Sequence, residues 1–208
     1  MSSLLYLIGY PGSGKTTAMR GALGAIRRNG EPIRTIERVE KQPFAHTIYS
    51  DGLIELGYER EVYGGTDTLS LGVQPKVLDW MAKSDAPLIV GEGDRLANSK
   101  FFTAVEAQGR AVQIVYLKCP ELVARHRAWD RGSRFNEPWF KGRITKVNRL
   151  FEEWQSQTII VLTTDGRQAQ HLKDVVTDIQ KFGNNGHWSN VMVIENPTEE
   201  EREWMTQR

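Results

Sequence analysis

The chain of 208 residues holds a single cysteine, Cys119, so no disulfide can form within it, which fits a reducing, cytoplasmic setting. Its formal net charge is only +1, too little for a global field that would draw it to nucleic acid or to a membrane surface. No apolar run approaches the roughly 18 residues that a membrane crossing needs, so no membrane partner is expected. The apolar start is too short for the core of a secretory leader and has no basic stretch before it, so it reads as a first strand. Internal repeats and low-complexity linkers are also lacking. What is left is one soluble α/β domain, long enough for a well-buried core and a small insertion.

What the chain does have comes at once. Leu4 to Ile8 is an apolar run of strand length, followed by Gly9, Pro11, Gly12, Ser13 and Gly14, then by Lys15, Thr16 and Thr17 at the start of a helical pattern. From Gly9 to Thr16 the spacing is G-x-x-x-x-G-K-T, a phosphate-binding loop in the strand–loop–helix context that the motif demands. Backbone amides of such a loop form a nest for an anion, and the helix N-terminus adds positive potential. Lys15 reaches the β/γ-phosphates, and Thr16 offers its hydroxyl to Mg²⁺. Scattered histidines, His126 and His171 among them, lack ligand spacing, so no metal beyond Mg²⁺ is expected.

Strand and helix patterns then alternate. "PIRTIERVE" reads as a second strand, and "AHTIYSDGLIELGYER" as a hairpin turning at Asp51-Gly52 in a two-residue loop. "VQPKVLDWMAK" is a helix with Val77, Leu78 and Met81 apolar. "APLIVGEGDRL", "AVQIVYLKC" and "TIIVLTTDG" contain short continuous apolar runs, as strands buried on both faces do, and "QAQHLKDVVTDIQKF" is a final helix. This alternation predicts a parallel sheet covered on both sides. The expected division is a domain over 1–183, with a hairpin and substrate loop at about 44–72 and an Arg-rich lid at about 121–149, then a tail over 184–208. The tail's Glu199, Glu200, Glu201 and Glu203 read as a solvated terminal segment.

Three groups are candidates for chemistry. Glu92 and Asp94 end the "PLIV" strand, where ligands of open α/β sheets sit, and an acid there holds Mg²⁺ or orients an attacking oxygen. The alternative for Asp94 is a helix N-cap. Arg95 is a candidate substrate or phosphate contact, with a surface ion pair as the alternative. Asp67 in "GGTDT" is either an acceptor of a substrate proton or the stabiliser of a turn, and Thr66 and Thr68 add hydroxyls beside it. Between Lys118 and Arg149 nine basic residues face three acids, an excess of six charges. Two helices flank "DRGSRFNEP", and Phe140, Ile144, Val147, Phe151 and Trp154 make one apolar stripe on the second. The arginines thus crown a helical hairpin over the sheet edge. Arg127, Arg131 and Arg134 are the favoured catalytic cations, and Arg143 is a candidate substrate contact. Trp129, Phe135 and Trp139, interleaved with them, also suit the grip of a nucleic-acid strand.

With these motifs in place, the chain resembles small P-loop kinases of the nucleoside/nucleotide kinase group. In detail it is similar to bacteriophage-encoded kinase-like proteins with a "GTD-x-L" loop (Gly65 to Leu69), a "QPK" helix start (Gln74 to Lys76) and a "KGR-x-TK" segment (Lys141 to Lys146). The resemblance spans about residues 4 to 180. It implies a five-stranded parallel sheet with the loop strand central, ATP with Mg²⁺ as donor, a lid before the last strand, and the host cytoplasm as the location. The substrate signatures of adenylate and thymidylate kinases are missing, so neither name transfers. Three functions follow in order: a kinase acting on a nucleoside, nucleotide or related acceptor; a kinase acting on a hydroxymethylpyrimidine within DNA; and a nucleotide-dependent ATPase or switch. The last is disfavoured because the second domain that motor ATPases carry is not visible.

Overall fold

Seven buried residues in a row, Ser3–Gly9, form β1, the axis of the molecule. The computed structural model describes residues 2–24, 27–28, 31–32, 36–39, 41, 43–50, 52–58, 60, 64–130 and 136–162. Arg131, Arg134, Phe135, Asp51, the expected last helix and the acidic tail lie outside them. After β1 come α1 (Lys15–Gly24), a two-stranded ribbon of β2 (Arg27–Arg28) and β3 (Glu31–Pro32), then β4 (Ile36–Val39), β5 (His46–Tyr49) and β6 (Ile54–Leu56). A 3-10 turn (Thr66–Thr68) leads to α2 (Gln74–Met81), β7 (Leu88–Glu92), α3 (Ser99–Ala107) and β8 (Ala111–Lys118). The described part ends with α4 (Glu121–Asp130), α5 (Glu137–Glu153) and β9 (Thr158–Leu162). None of the described helices is long and apolar enough to cross a membrane.

The main sheet runs β4-β5-β6-β7-β1-β8-β9. From β6 to β9 neighbouring strands are parallel, as the alternation predicts, and β1 is the middle one of five, as the resemblance implies. The sheet is wider than expected, because β5 and β4 continue it antiparallel at one edge. The hairpin is therefore part of the sheet, its second arm being the parallel strand β6. Its turn also differs from the expected two-residue loop. The Tyr49 amide donates to the Leu53 carbonyl at 2.9 Å, leaving three residues between them, with Gly52 at φ +82°. A glycine in the left-handed region before the second strand is the usual close of a three-residue hairpin loop.

Alternation along β1 separates the two faces. Leu4, Tyr6 and Ile8 point to a core shared with Val77 and Met81 of α2, Phe101 and Phe102 of α3, and Val147 and Leu150 of α5. Leu5 and Leu7 point the other way, to Ala18, Met19, Ala22 and Leu23 of α1. Phe102 is wholly buried, edge-on to Tyr6 at 5.2 Å and to Trp154 at 5.5 Å. Phe102→Ala is expected to cost about 3–5 kcal/mol, read as a lower denaturant midpoint at unchanged slope.

Helix α5 carries the predicted stripe, but it is no flap at the sheet edge. Val147, Leu150 and Trp154 lie in the same core as β1 and β8, and Phe140 packs with Cys119, Ala124 and Ala128 under α4. An interior stripe of this width requires a helix laid on the sheet.

Candidate active site

Ladder register brings the first elements together. Leu7 of β1 pairs with Glu92 of β7, so the loop that opens at Gly9 begins beside that carboxylate. Within the loop the Ser13 amide donates to the Tyr10 carbonyl at 3.0 Å, and Gly12 and Gly14 stand at φ +90° and +91°. A Cβ on Gly12 would fall on the backbone carbonyl of Ala124, so α4 rests directly on the loop. Pro11 is half-buried and Thr17 exposed, while Ser13 is fully buried beside Gly9, its hydroxyl without a partner among the described residues. The Lys15 ammonium donates to the carbonyls of Gly9 at 2.9 Å and Tyr10 at 3.0 Å, which holds it across the mouth of the loop. The first amides of α1 open on the same concavity, as the unsatisfied donors of a helix N-terminus do.

Glu92 faces this loop from the next strand. Its side chain is 2 % exposed, and Oε1 accepts a hydrogen bond from the Thr16 hydroxyl at 2.8 Å. Burial pushes the Glu92 carboxyl up to about 7; the Lys15 ammonium and the Thr16 hydroxyl pull against it, and Asp67 and Glu55 add to it. Gly64 and Gly65 close over the pair: a Cβ on Gly64 would lie 2.8 Å from the Thr16 methyl, and one on Gly65 2.7 Å from Glu92 Oε1. These glycines thus let the loop approach two site side chains closely.

Thr66 is wholly buried; its hydroxyl donates to the Glu92 carbonyl at 2.8 Å and lies 2.9 Å from the Tyr6 hydroxyl, which itself donates to the Gly93 carbonyl. It fastens the loop to β7. Asp67 is half-buried, and its Oδ1 accepts from the Asp94 amide at 2.9 Å, the turn-stabilising role weighed against a proton-accepting one. Among the described residues its other oxygen has no hydrogen bond.

Asp94 caps no helix: α3 begins five residues later, with Asn98 as its cap, accepting from Phe101. Its carboxylate is ion-paired instead. Oδ1 pairs with Lys146 at 2.7 Å and Oδ2 with Arg143, both on α5, and Lys146 also donates to the Asp94 carbonyl at 3.0 Å. Two cations thus engage its two oxygens, and Asp94 ties the turn after β7 to α5. A second tie runs from the loop itself, Tyr10 donating to Asn148 Oδ1 at 2.9 Å. Arg125 joins Glu121 and Glu137 and so pins α4 to α5, while Arg143 also stands over the Trp139 ring at 5.6 Å. Arg127 sits half-buried in the last turn of α4, and Arg95, half-buried after β7, has an Nε without a partner among the described residues. Asp94→Asn is expected to lower kcat about tenfold, with the Michaelis constant for the donor little changed, because the tether and not the loop is lost. These groups are about a third exposed, so stability should fall by no more than about 1 kcal/mol.

The Mg²⁺ expectation can be tested on the donor set. A hydroxyl and a carboxylate converge within hydrogen-bond distance at the phosphate end of the loop, and Mg²⁺ takes its remaining ligands from water and phosphate oxygens. Thr16 and Glu92 therefore fit the ion, although no group of three or more His, Cys, Asp or Glu gathers among the described residues.

Sequence reasoning passed over Lys146, Asn148 and Tyr6. The helical spacing of Arg143 and Lys146, three residues apart on one turn, was the available signal for the first. Tyr6, inside an apolar run, gave none. A family model described as P-loop Nucleotide Kinase3 matches residues 1–173 of the chain. No curated protein matches it.

Proposed function

The chain belongs to that family of P-loop nucleotide kinases, and from this premise we propose that it transfers the γ-phosphoryl group of ATP to an acceptor of the nucleoside or nucleotide class. The reading is carried by the Thr16–Glu92 contact directly after Lys15, a hydroxyl and an acid converging where a triphosphate's tail would end. Loop amides from Gly12 to Thr17 and the Lys15 ammonium cradle the donor. Thr16 and Glu92 would hold Mg²⁺, which when bound neutralises charge on the β- and γ-oxygens. Asp67, through its second oxygen, takes the proton of the acceptor hydroxyl as that oxygen attacks and ADP leaves. Arg143 and Lys146, held by Asp94, and Arg127 supply positive charge to the transferring group.

Incubation with γ-labelled ATP across nucleosides, nucleotides and DNA tests this. Label in an organic acceptor is expected; label only in inorganic phosphate would make the chain an ATPase or switch. One observation favours a second acceptor, a modified base within DNA, as the resemblance to phage-encoded kinases suggests. Trp129 and Trp139 are 66 % and 43 % exposed on the basic helices, a platform for stacking bases. Transfer to duplex DNA that weakens with salt would select that acceptor; transfer to free nucleotides alone would exclude it.

A further inference from the structure

Tyr6 is wholly buried in the middle of β1, its ring edge-on to Phe101 at 6.3 Å and to Phe102 at 5.2 Å. A phenylalanine would fill that space with no polar atom to desolvate, so the hydroxyl calls for a reason. The ring lies across β7. Tyr6 pairs with Gly91 in the ladder, and a Cβ on Gly91 would stand 2.8 Å from the ring's Cε2. Glycine at that position lets the ring pass, and the hydroxyl reaches the end of the neighbouring strand.

There it joins two turns. Tyr6 donates to the Gly93 carbonyl at 3.1 Å and lies 2.9 Å from the Thr66 hydroxyl, which donates to the Glu92 carbonyl at 2.8 Å. Two hydroxyl protons thus serve three contacts. With Thr66 committed to Glu92, Tyr6 divides its proton between Gly93 and Thr66. Gly93, at φ +107°, has equally little room: a Cβ there would stand 3.0 Å from both Asp67 Cγ and the Thr66 hydroxyl oxygen. The segments so joined carry Glu92 and Asp67. Glu92 ends β7 with its carboxyl on the Thr16 hydroxyl, and Asp67 follows Thr66 directly, its Oδ1 on the Asp94 amide.

We propose that Tyr6 is a positioning residue for phosphoryl transfer: its hydroxyl, with that of Thr66, locks the end of β7 to the Thr66–Thr68 turn and so sets where Glu92 stands relative to Asp67. Sealed inside the core, Tyr6 acts through those two acids and touches no ligand. A shift of about 1 Å in such groups is enough to cost up to about a hundredfold in rate, while the phosphate loop, fastened by its own contacts, keeps its grip on the donor. This rests on the phosphotransfer reading above and adds to it a residue outside the loop motif.

Single-turnover transfer from γ-labelled ATP to pooled nucleosides, nucleotides and DNA, beside ATP titration of the full chain, tests the assignment. Tyr6→Phe keeps the ring and should lower the transfer rate about tenfold, with ATP–Mg²⁺ affinity within about twofold of native. Thr66→Val should do the same, and Thr66→Ser, which keeps the hydroxyl, should hold at about half the native rate or above. Tyr6→Phe combined with Thr66→Val should lose little more than either alone, since both break one link. The proposal is overturned if Tyr6→Phe transfers as fast as the native chain, if Thr66→Ser is as slow as Thr66→Val, if the combined variant loses the product of the single losses, or if ATP affinity falls in step with the rate. Amide exchange reads the link with no turnover. In Tyr6→Phe the amides of Thr68, Leu69 and Asp94 should exchange about tenfold faster, and those of Phe101 and Phe102, bonded to Asn98, at the native rate. Unchanged exchange at the first three would overturn the link itself. A native chain that passes no label to an organic acceptor would instead sink the phosphotransfer reading, so the two failures are told apart.

Discussion

Lys15→Ala is expected to fold normally and to lose phosphoryl transfer by about 10²–10³-fold, the usual cost of deleting one preorganised electrostatic contact in a reaction centre. The ammonium donates to two loop carbonyls that remain partly open to water, so the fold gives up only about 1 kcal/mol. The catalytic loss is larger because the same charge acts twice. It meets the phosphates directly, and it is the strongest influence lowering the Glu92 carboxyl. Without it Glu92 holds its proton to higher pH and is a poorer partner for a cation. Lys15→Arg should not rescue activity, since a planar guanidinium does not replace a compact ammonium in a loop this close. Single-turnover kinetics beside a denaturation curve separates the two effects; equal loss of fold and activity would contradict the assignment.

Glu92→Gln is expected to make the protein more stable and less active. Burial raises the folded carboxyl from 4.5 to about 7, so between those values the folded chain binds a proton that the unfolded chain has released. Stability from this group is therefore greatest below the unfolded value and is lost as pH rises through about 7. A gap of that size amounts to about 3 kcal/mol at alkaline pH. Glutamine keeps the shape and can still accept from Thr16, but it has no charge to bury. Denaturation at about pH 5 and about pH 8 should show the native chain weakening at the higher pH and the variant staying level. Transfer by the variant should fall about a hundredfold or more. A variant less stable than the native chain at about pH 8 would mean that Glu92 is held ionised by its surroundings.

Much of this was written locally. The Leu4–Ile8 run, the glycines after it and the helix from Lys15 are all within one short stretch, and the apolar stripe of α5 follows from spacing alone. What stayed hidden depends on partners far along the chain. Asp94 reads as a cap or a metal ligand until Arg143 and Lys146 arrive from α5, about fifty residues later. Thr66 looks like a substrate hydroxyl until Tyr6 and the Glu92 carbonyl enclose it. Gly64 and Gly65 signal close approach, but not that the neighbours approached are Thr16 and Glu92. The widening of the sheet by β4 and β5 was equally unreadable, because edge pairing leaves no period of its own when strands are four residues long.

One measurement bears on the centre of this account: calorimetry of ATP with the native chain and with Lys15→Ala at about millimolar Mg²⁺. One ATP should bind per native chain, with binding weakened by removing either Mg²⁺ or the Lys15 ammonium. Absence of heat with the native chain, or equal binding by both proteins, would contradict it.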